Sequence, residues 1–265
     1  MKIAVCVKVS PDTAQLKADP RSGAPRLAEA PRRIGTFEEN ALEEAVRLKE
    51  RHGGRVVCVS LAAEAPPPEL TLRVLAMGVD EAYVIEEPTV READALATAR
   101  ILAAALEKIG DLDVVLCGEG SLDDYSRQVG PRLAEALGIP VLSHVIQVED
   151  RDGGLRAHRA LEDRTVVVDV SNPVLLTVGQ EINQPRFPTV LQIMSASGKP
   201  TVTWHLADLG FDERETAVGM SGLTTLEIFA PPDERQRIPI KGANAAEMAL
   251  ELTKQLAERG LVRVR

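Results

Sequence analysis

Along the first half of the chain, short apolar runs rich in β-branched residues alternate with longer stretches in which apolar residues recur every three or four positions. The short runs suit strands buried on both faces, and the longer stretches suit helices with one apolar side. Residues 2–9 predict a first strand, and 10–35 a long connection whose Asp19-Pro20-Arg21-Ser22-Gly23 centre reads as the tip of a surface hairpin. Thr36, with Glu39 three residues later, predicts a capping box. Phe37, Ala41, Leu42, Ala45 and Leu48 then draw the apolar stripe of a first helix that ends before Gly53 and Gly54. A strand at 55–61, a proline break at 66–68, a helix at 70–77 closed by Gly78 and a strand at 82–85 follow. Thr89 and Glu92 predict the start of a helix over 91–109, and 113–117 is the next strand. This strand–helix alternation is the signature of a three-layer, Rossmann-like α/β fold: a parallel sheet with helices on both faces. Cys6, Cys58 and Cys117 fall near the carboxyl ends of their strands, the edge where such sheets bind ligands.

The stretch 113–138 adds a loop to this pattern. Its strand breaks into a polar segment punctuated by Gly118 and Gly120. From about Ser126 a helix is marked by Val129, Leu133 and Leu137 and closed by Gly138. A loop of this kind, entering a helix N-terminus, presents backbone N–H groups and the positive end of a helix dipole to an anion. Neither a GxxxxGK[ST] nor a GxGxxG pattern is present, so two readings stand. One is a phosphate cradle. The other is a plain helix entry, capped by Asp123 or Asp124, with Ser126 and Gln128 facing water. Beyond Gly138 the style changes. Residues 141–148, 155–161 and 165–170 alternate in polarity and predict an antiparallel addition, whereas 173–178 reads as a core strand. Pro185 and Pro188 bracket a loop leading into a short helix at 189–195. Strand-like segments at 201–206 and 223–229, the prolines Pro231 and Pro232, and an amphipathic helix over 243–259 complete the chain.

Composition narrows the function. The 265 residues are 45% apolar and 27% charged, enough to bury a full core. A net charge of −9, with no basic run, argues against nucleic acid and anionic membranes as partners. No run is long enough to span a bilayer and no leader pattern is visible, which points to the cytoplasm. The cysteines lack CxxC spacing and suit buried, reduced thiols. His52, His144, His158 and His205 are scattered without metal-ligand spacing, and no hydrolytic constellation appears, so no catalytic residue is assigned.

Several segments together resemble the β subunit of electron transfer flavoprotein. VCVKVSPD is similar to that family's AVKRVPD-like start, TFEENALEEAVRLKE to its NPFDExALEEAxxLKE helix, and LAMGVDEAYVI to ALAMGADRAI. GEGSLDDYSRQVGPRLAEALGIP resembles its adenine-nucleotide loop, NQPRFPTVLQIMSA its LNEPRYATLPNIMKA segment, and the Asp208-Leu209-Gly210 triplet a later DLG.

The resemblance implies an adenine-nucleotide α-hydrolase-like fold in a heterodimer. The α subunit holds most of a redox-active FAD, and the β subunit binds AMP as a structural ligand. It further implies that electrons arrive from primary dehydrogenases, often the acyl-CoA dehydrogenases of fatty acid oxidation, and leave to a membrane quinone oxidoreductase. Carried over by position, the cofactor site falls on Cys6, Gly35, Thr36, Phe37, Glu38, Leu61, Gly118, Gly120, Ser121, Asp124, Ser126, Gln128, Val129 and Gly130. Partner recognition falls on Arg186, Thr189, Val190, Leu191 and Met194. The family's Asn-Pro before the phenylalanine is Gly35-Thr36 here, a tyrosine that reaches the flavin in some members is Thr13, and the anchor leucine is Val190. Phe37 has two roles open to it, a staple of the first helix and a flavin contact. The expected division is a nucleotide-binding domain over 1–195, ending in the recognition loop, and an arm over 196–265 that lies on the core or on the partner. Two alternatives to the AMP-binding carrier remain: a β subunit holding a second FAD, as in electron-bifurcating relatives, and an ATP-binding stress or hydrolase-like protein.

Overall fold

The computed structural model describes residues 1–212, 214–229 and 237–262. The chain divides into two units, Met1–Phe229 and Ala230–Arg265. The first contains β1 (Lys2–Cys6), β2 (Val9–Pro11), β3 (Arg32–Ile34), α1 (Thr36–His52), β4 (Arg55–Ala62), α2 (Pro68–Ala76), β5 (Glu81–Glu86), α3 (Ala95–Ile109), β6 (Val114–Gly118), α4 (Val129–Leu137), β7 (Val141–Arg151), β8 (Gly154–Ala160), β9 (Thr165–Ser171), β10 (Val174–Val178), α5 (Val190–Ala196) and β11 (Thr201–Trp204). Nine strands form one sheet in the order β11-β5-β4-β1-β6-β10-β7-β8-β9. All neighbours are parallel except the β7–β8 and β8–β9 pairs.

The unbroken apolar runs are explained by cover on both sides. Ile3 and Val5 of β1 lie with α1 and α2 in one buried cluster, while Ala4 and Cys6 lie with α3 and α4 in the other. Strands of period two have no polar face when both faces are roofed. The α/β expectation and the antiparallel addition of β7, β8 and β9 hold. The return strand β10 enters between β6 and β7, parallel to both.

Local boundaries differ from the sequence reading, each for a physical reason. The chain leaves the main sheet after Cys6, and Val9–Pro11 pairs antiparallel with β3 as a separate two-stranded sheet. The hairpin tip is present, its Asp19 carboxylate accepting from the N–H groups of Arg21 and Ser22. The Thr36–Glu39 capping box does not form: Gly35 is the N-cap without a side-chain bond, and Glu39 instead meets Arg73 of α2 at 2.7 Å. Thr89 and Glu92 lie in a 3-10 turn, Pro88–Glu92, capped by Glu87; the cap of α3 is Asp94, whose carboxylate accepts from Leu96 and Ala97. Residues 223–229 form no strand. Asp94 accounts for their entry, since its second oxygen takes the N–H groups of Gly222 and Leu223.

In the second unit, α6 (Ala245–Glu258) is capped by Asn244, which accepts from the Glu247 N–H at 3.0 Å. None of the residues of α6 is buried. Pro231 and Pro232 lie outside the described residues.

Candidate functional site

The carboxyl ends of β1 and β6 lie side by side, with Cys6 opposite Cys117. The hydrogen bond to Cys6, together with burial, holds the Cys117 thiol well above its usual range, and burial does the same to Cys58. These are inert thiols. Beyond Cys117 the chain passes under the first turn of α1, so closely that a Cβ on Gly118 would stand 2.9 Å from the Phe37 Cβ. Glycine is required there by approach, not by turn geometry.

Glu38 is the second group placed by this helix start. It is 4% exposed, its Oε2 has no hydrogen-bond partner, and it folds back over Gly35 so that any Cβ there would collide with its carboxylate. Burial pushes the Glu38 carboxyl up to about 7; its own N–H and the Lys8 ammonium oppose this, while Asp123 adds to it. Lys8 itself is taken by Asp123 at 2.8 Å.

The loop from Glu119 to Gln128 is tied to itself. The Glu119 carboxylate accepts from the Tyr125 hydroxyl at 2.9 Å and lies 3.4 Å from the Arg127 Nε and 3.2 Å from the His144 Nδ1. The Tyr125 ring is sandwiched, stacked on Phe37 with centroids 5.4 Å apart and covered by the Arg127 guanidinium at 4.5 Å. Gly120 gives that ring its seat. Tyr125 and Arg127 hold φ values of 48° and 59°, left-handed conformations that cost side-chain-bearing residues free energy and cluster at functional sites. Asp124 accepts from the Ser121 hydroxyl and the Ser126 N–H, so it serves the turn of the loop.

The helix entered by this loop, α4, has no side-chain cap. The Gln128 side chain turns away to accept from Arg132. Pro131 occupies the third helical position and has no N–H, which leaves Val129 and Gly130 to present first-turn donors. Gly130 is also a packing residue: a Cβ there would meet Thr177 Cγ2 of β10 at 2.5 Å. Cys6, Gly35, Thr36, Phe37, Glu38, Gly118, Gly120 and Gly130 thus lie at one edge of the sheet, where β1 and β6 end and α1 and α4 begin. Leu61, one strand over at the end of β4, packs against the core cluster beneath.

A second feature hangs on the same helix. Along α1, Asn40 donates to the Asn183 carbonyl at 2.8 Å, and Asn183 returns a bond to the Asn40 carbonyl at 3.1 Å. Arg186 grips Glu43 through its Nε at 2.8 Å and its Nη2 at 3.1 Å, and reaches Glu50 as well. Burial would raise Glu43, but hydrogen bonds from Arg186 and Arg47 outweigh it and leave the carboxyl below its ordinary value. Arg186, assigned by resemblance to partner recognition, is engaged within the chain and holds its segment to α1. Past this clamp, Thr189 caps α5 in a complete box with Gln192. Buried Ala196 anchors the helix end, while Val190, Leu191 and Met194 are 73%, 77% and 68% exposed, with Phe187 beside them also exposed.

Sequence reasoning missed Tyr125, Glu119 and the clamp residues Asn40, Glu43, Glu50 and Asn183. Tyr125 had a signal, as an aromatic in a glycine-bearing loop of a chain with 3% aromatic residues. The clamp had none, because its partners are some 140 residues apart. Among the described residues, no cluster of His, Cys, Asp and Glu can hold a metal, and no helix is long and apolar enough to cross a membrane.

Residues 26–209 match the electron transfer flavoprotein domain model. The chain is 36% identical over 270 residues to the electron transfer flavoprotein subunit beta of Thermoanaerobacterium thermosaccharolyticum, covering 99% of this chain and all of the relative. It is 37% identical over 228 residues, 85% of each chain, to the subunit of the same name from Clostridium acetobutylicum. It is also 33% identical over 262 residues to the caffeyl-CoA reductase-Etf complex subunit CarD of Acetobacterium woodii, covering 99% and 100% of the two chains.

Proposed function

Because this chain belongs to the electron transfer flavoprotein family, as a β-type subunit, we propose that it pairs with an α-type subunit, binds AMP in the crevice between β1 and β6, and docks electron-donating dehydrogenases through α5. Flavin bound in the complex would accept and pass on electrons. The residues of this chain position and recognise. The crevice fits a nucleotide on two counts: α4 starts uncapped, and Glu38 carries an unpartnered buried oxygen. Val129 and Gly130 would supply N–H groups to the phosphate, with Ser126 at the mouth. Phe37 and Tyr125 together make the aromatic wall.

The observation that carries the docking role is the exposed apolar face of α5. Most apolar helix residues are buried, and this short helix is held in place by the Arg186 clamp with four of them, Val190, Leu191, Ile193 and Met194, exposed. Acyl-CoA or related dehydrogenases are the donors that we assign to this face, and a quinone oxidoreductase is the acceptor for the complex, in the cytoplasm and at its membrane surface.

Co-expression with the α-type subunit, followed by counting of the nucleotides released on denaturation, tests this function. One FAD and one AMP per heterodimer is the expected result. Two FAD and no AMP would assign the crevice to a second flavin. A colourless complex would refute the electron-carrier reading.

A further inference from the structure

Glu38 poses a problem that the nucleotide site alone does not solve. It is a carboxyl nearly withdrawn from water, with one oxygen unpartnered, folded over Gly35 at the sheet edge read above as the nucleotide site. The charged groups that face it are few. From α1 itself comes Glu39, from the link between β1 and β2 Lys8, and from the loop after β6 Asp123; the Cys117 thiol lies on β6. Two of the three charged neighbours are acidic. The one cation is bound to Asp123, and Arg127, farther along the loop, already faces Glu119. A phosphate that enters here finds no uncommitted positive side chain among these neighbours. It also adds negative charge beside a carboxylate that burial already disfavours.

We propose that the crevice takes up its nucleotide together with a proton, and that Glu38 is the group that carries it. This rests on the reading of the crevice as an adenine-nucleotide site. The proton comes from solvent and ends on a Glu38 oxygen, so the ligand's charge is met without any movement of Lys8 from Asp123. It also turns the orphaned acceptor into an O–H donor that the ligand's oxygens can use. Glu38 is thus a specificity-determining residue. It sets how strongly the site holds an anionic ligand as pH changes, and through that the proportion of complexes that carry a nucleotide. Since burial pushes the Glu38 carboxyl up to about 7, the effect falls within the range of ordinary cellular pH.

The test is calorimetric titration of AMP into the full, nucleotide-stripped chain, in buffers of different ionisation heat, at about pH 6 and about pH 8. At the higher pH, more than about half a proton should be absorbed per AMP bound, and at the lower pH little. Affinity should fall, approaching tenfold per pH unit, above about pH 7. AMP is already a dianion at about pH 8, and any proton taken by its own phosphate also appears with Glu38→Gln. That variant should lose the uptake and bind AMP with a flat pH profile. Lys8→Met keeps Glu38 but removes the cation that favours its ionised form, so it should move the midpoint of the profile upward. Equal uptake by wild type and Glu38→Gln, no uptake by either, or a midpoint unmoved by Lys8→Met overturns the proposal while AMP binding itself stands. If the wild-type chain binds no AMP at either pH, the site reading and the proposal fall together.

Discussion

Glu38 also tells on the stability of the nucleotide-free chain. Its carboxyl, ordinarily near 4.5, is held by burial at about 7 in the fold. A raised acid contributes fully while protonated in both states, below about pH 4.5, and that contribution is lost as pH climbs through about 7. The loss amounts to about 3 kcal/mol. Relative to Glu38→Gln, wild type should therefore melt progressively lower between about pH 5 and pH 8, and parallel melting curves across that range would show that the carboxyl is solvated. Gly130 behaves differently. Because its missing Cβ makes room for Thr177, Gly130→Val should cost about 1–3 kcal/mol by overpacking, and should lose nucleotide through damage to the α4–β10 packing. Ser126→Ala is the cleaner probe of the phosphate end, since Ser126 is exposed and its loss should lower AMP content with melting unchanged.

At the scale of elements, α1 is the shared support. Its first turn borders the crevice, and its side carries the clamp on Arg186 and Asn183. Arg186→Ala would leave buried Glu43 with Arg47 and the backbone N–H of residue 186. Breaking a buried pair costs several kcal/mol, but Arg186 is partly exposed and solvent screens its share, so about 2 kcal/mol is expected. Amide exchange should quicken across residues 183–196 and stay slow in β1 and β6; uniform acceleration would count against a local clamp. The Glu43 carboxyl is lowered, so this contribution is present above its ordinary value of 4.5 and lost as pH falls below it. By contrast, Val190 of α5 is exposed, and Val190→Ala should leave melting and nucleotide content unchanged. Removing its two methyls should weaken docking to a dehydrogenase by about 1 kcal/mol, several-fold in affinity. A drop in melting temperature would place Val190 in the core instead.

For the whole molecule, the C-terminal unit is the telling part. Its one described helix, α6, has an amphipathic sequence and no buried residue. A helix of this length draws most of its stability from tertiary packing. We propose that the unit from residue 230 onward gains its cover from the α-type subunit. Adding that subunit at a hundredfold excess over Kd should stabilise the chain by about 3 kcal/mol, a shift of several degrees in melting temperature. Melting unaffected by the partner would refute the assignment.

The α/β architecture was legible in the chain because strands roofed on both faces must be apolar throughout, and helices roofing them must be apolar on one side. The strand-to-loop-to-helix order at 113–138 was legible for the same reason, as was the Thr189 cap, whose partner Gln192 is three residues away. Where a group's partner is distant, local patterns failed. Glu39 had the spacing of a capping box, yet Arg73 on another helix takes it. Arg186 carried only a partner-recognition role by resemblance, and the fold brings Glu43 and Glu50 beside it. Gly118 read as a loop glycine and Gly130 as a cofactor-site glycine, although Phe37 and Thr177 are what forbid them a side chain. The ionisation of Glu38 lay furthest from view, since it depends on how much water and how many charges the folded chain leaves around one carboxyl. Periodicity records which side of an element is covered, and only the tertiary structure decides by what.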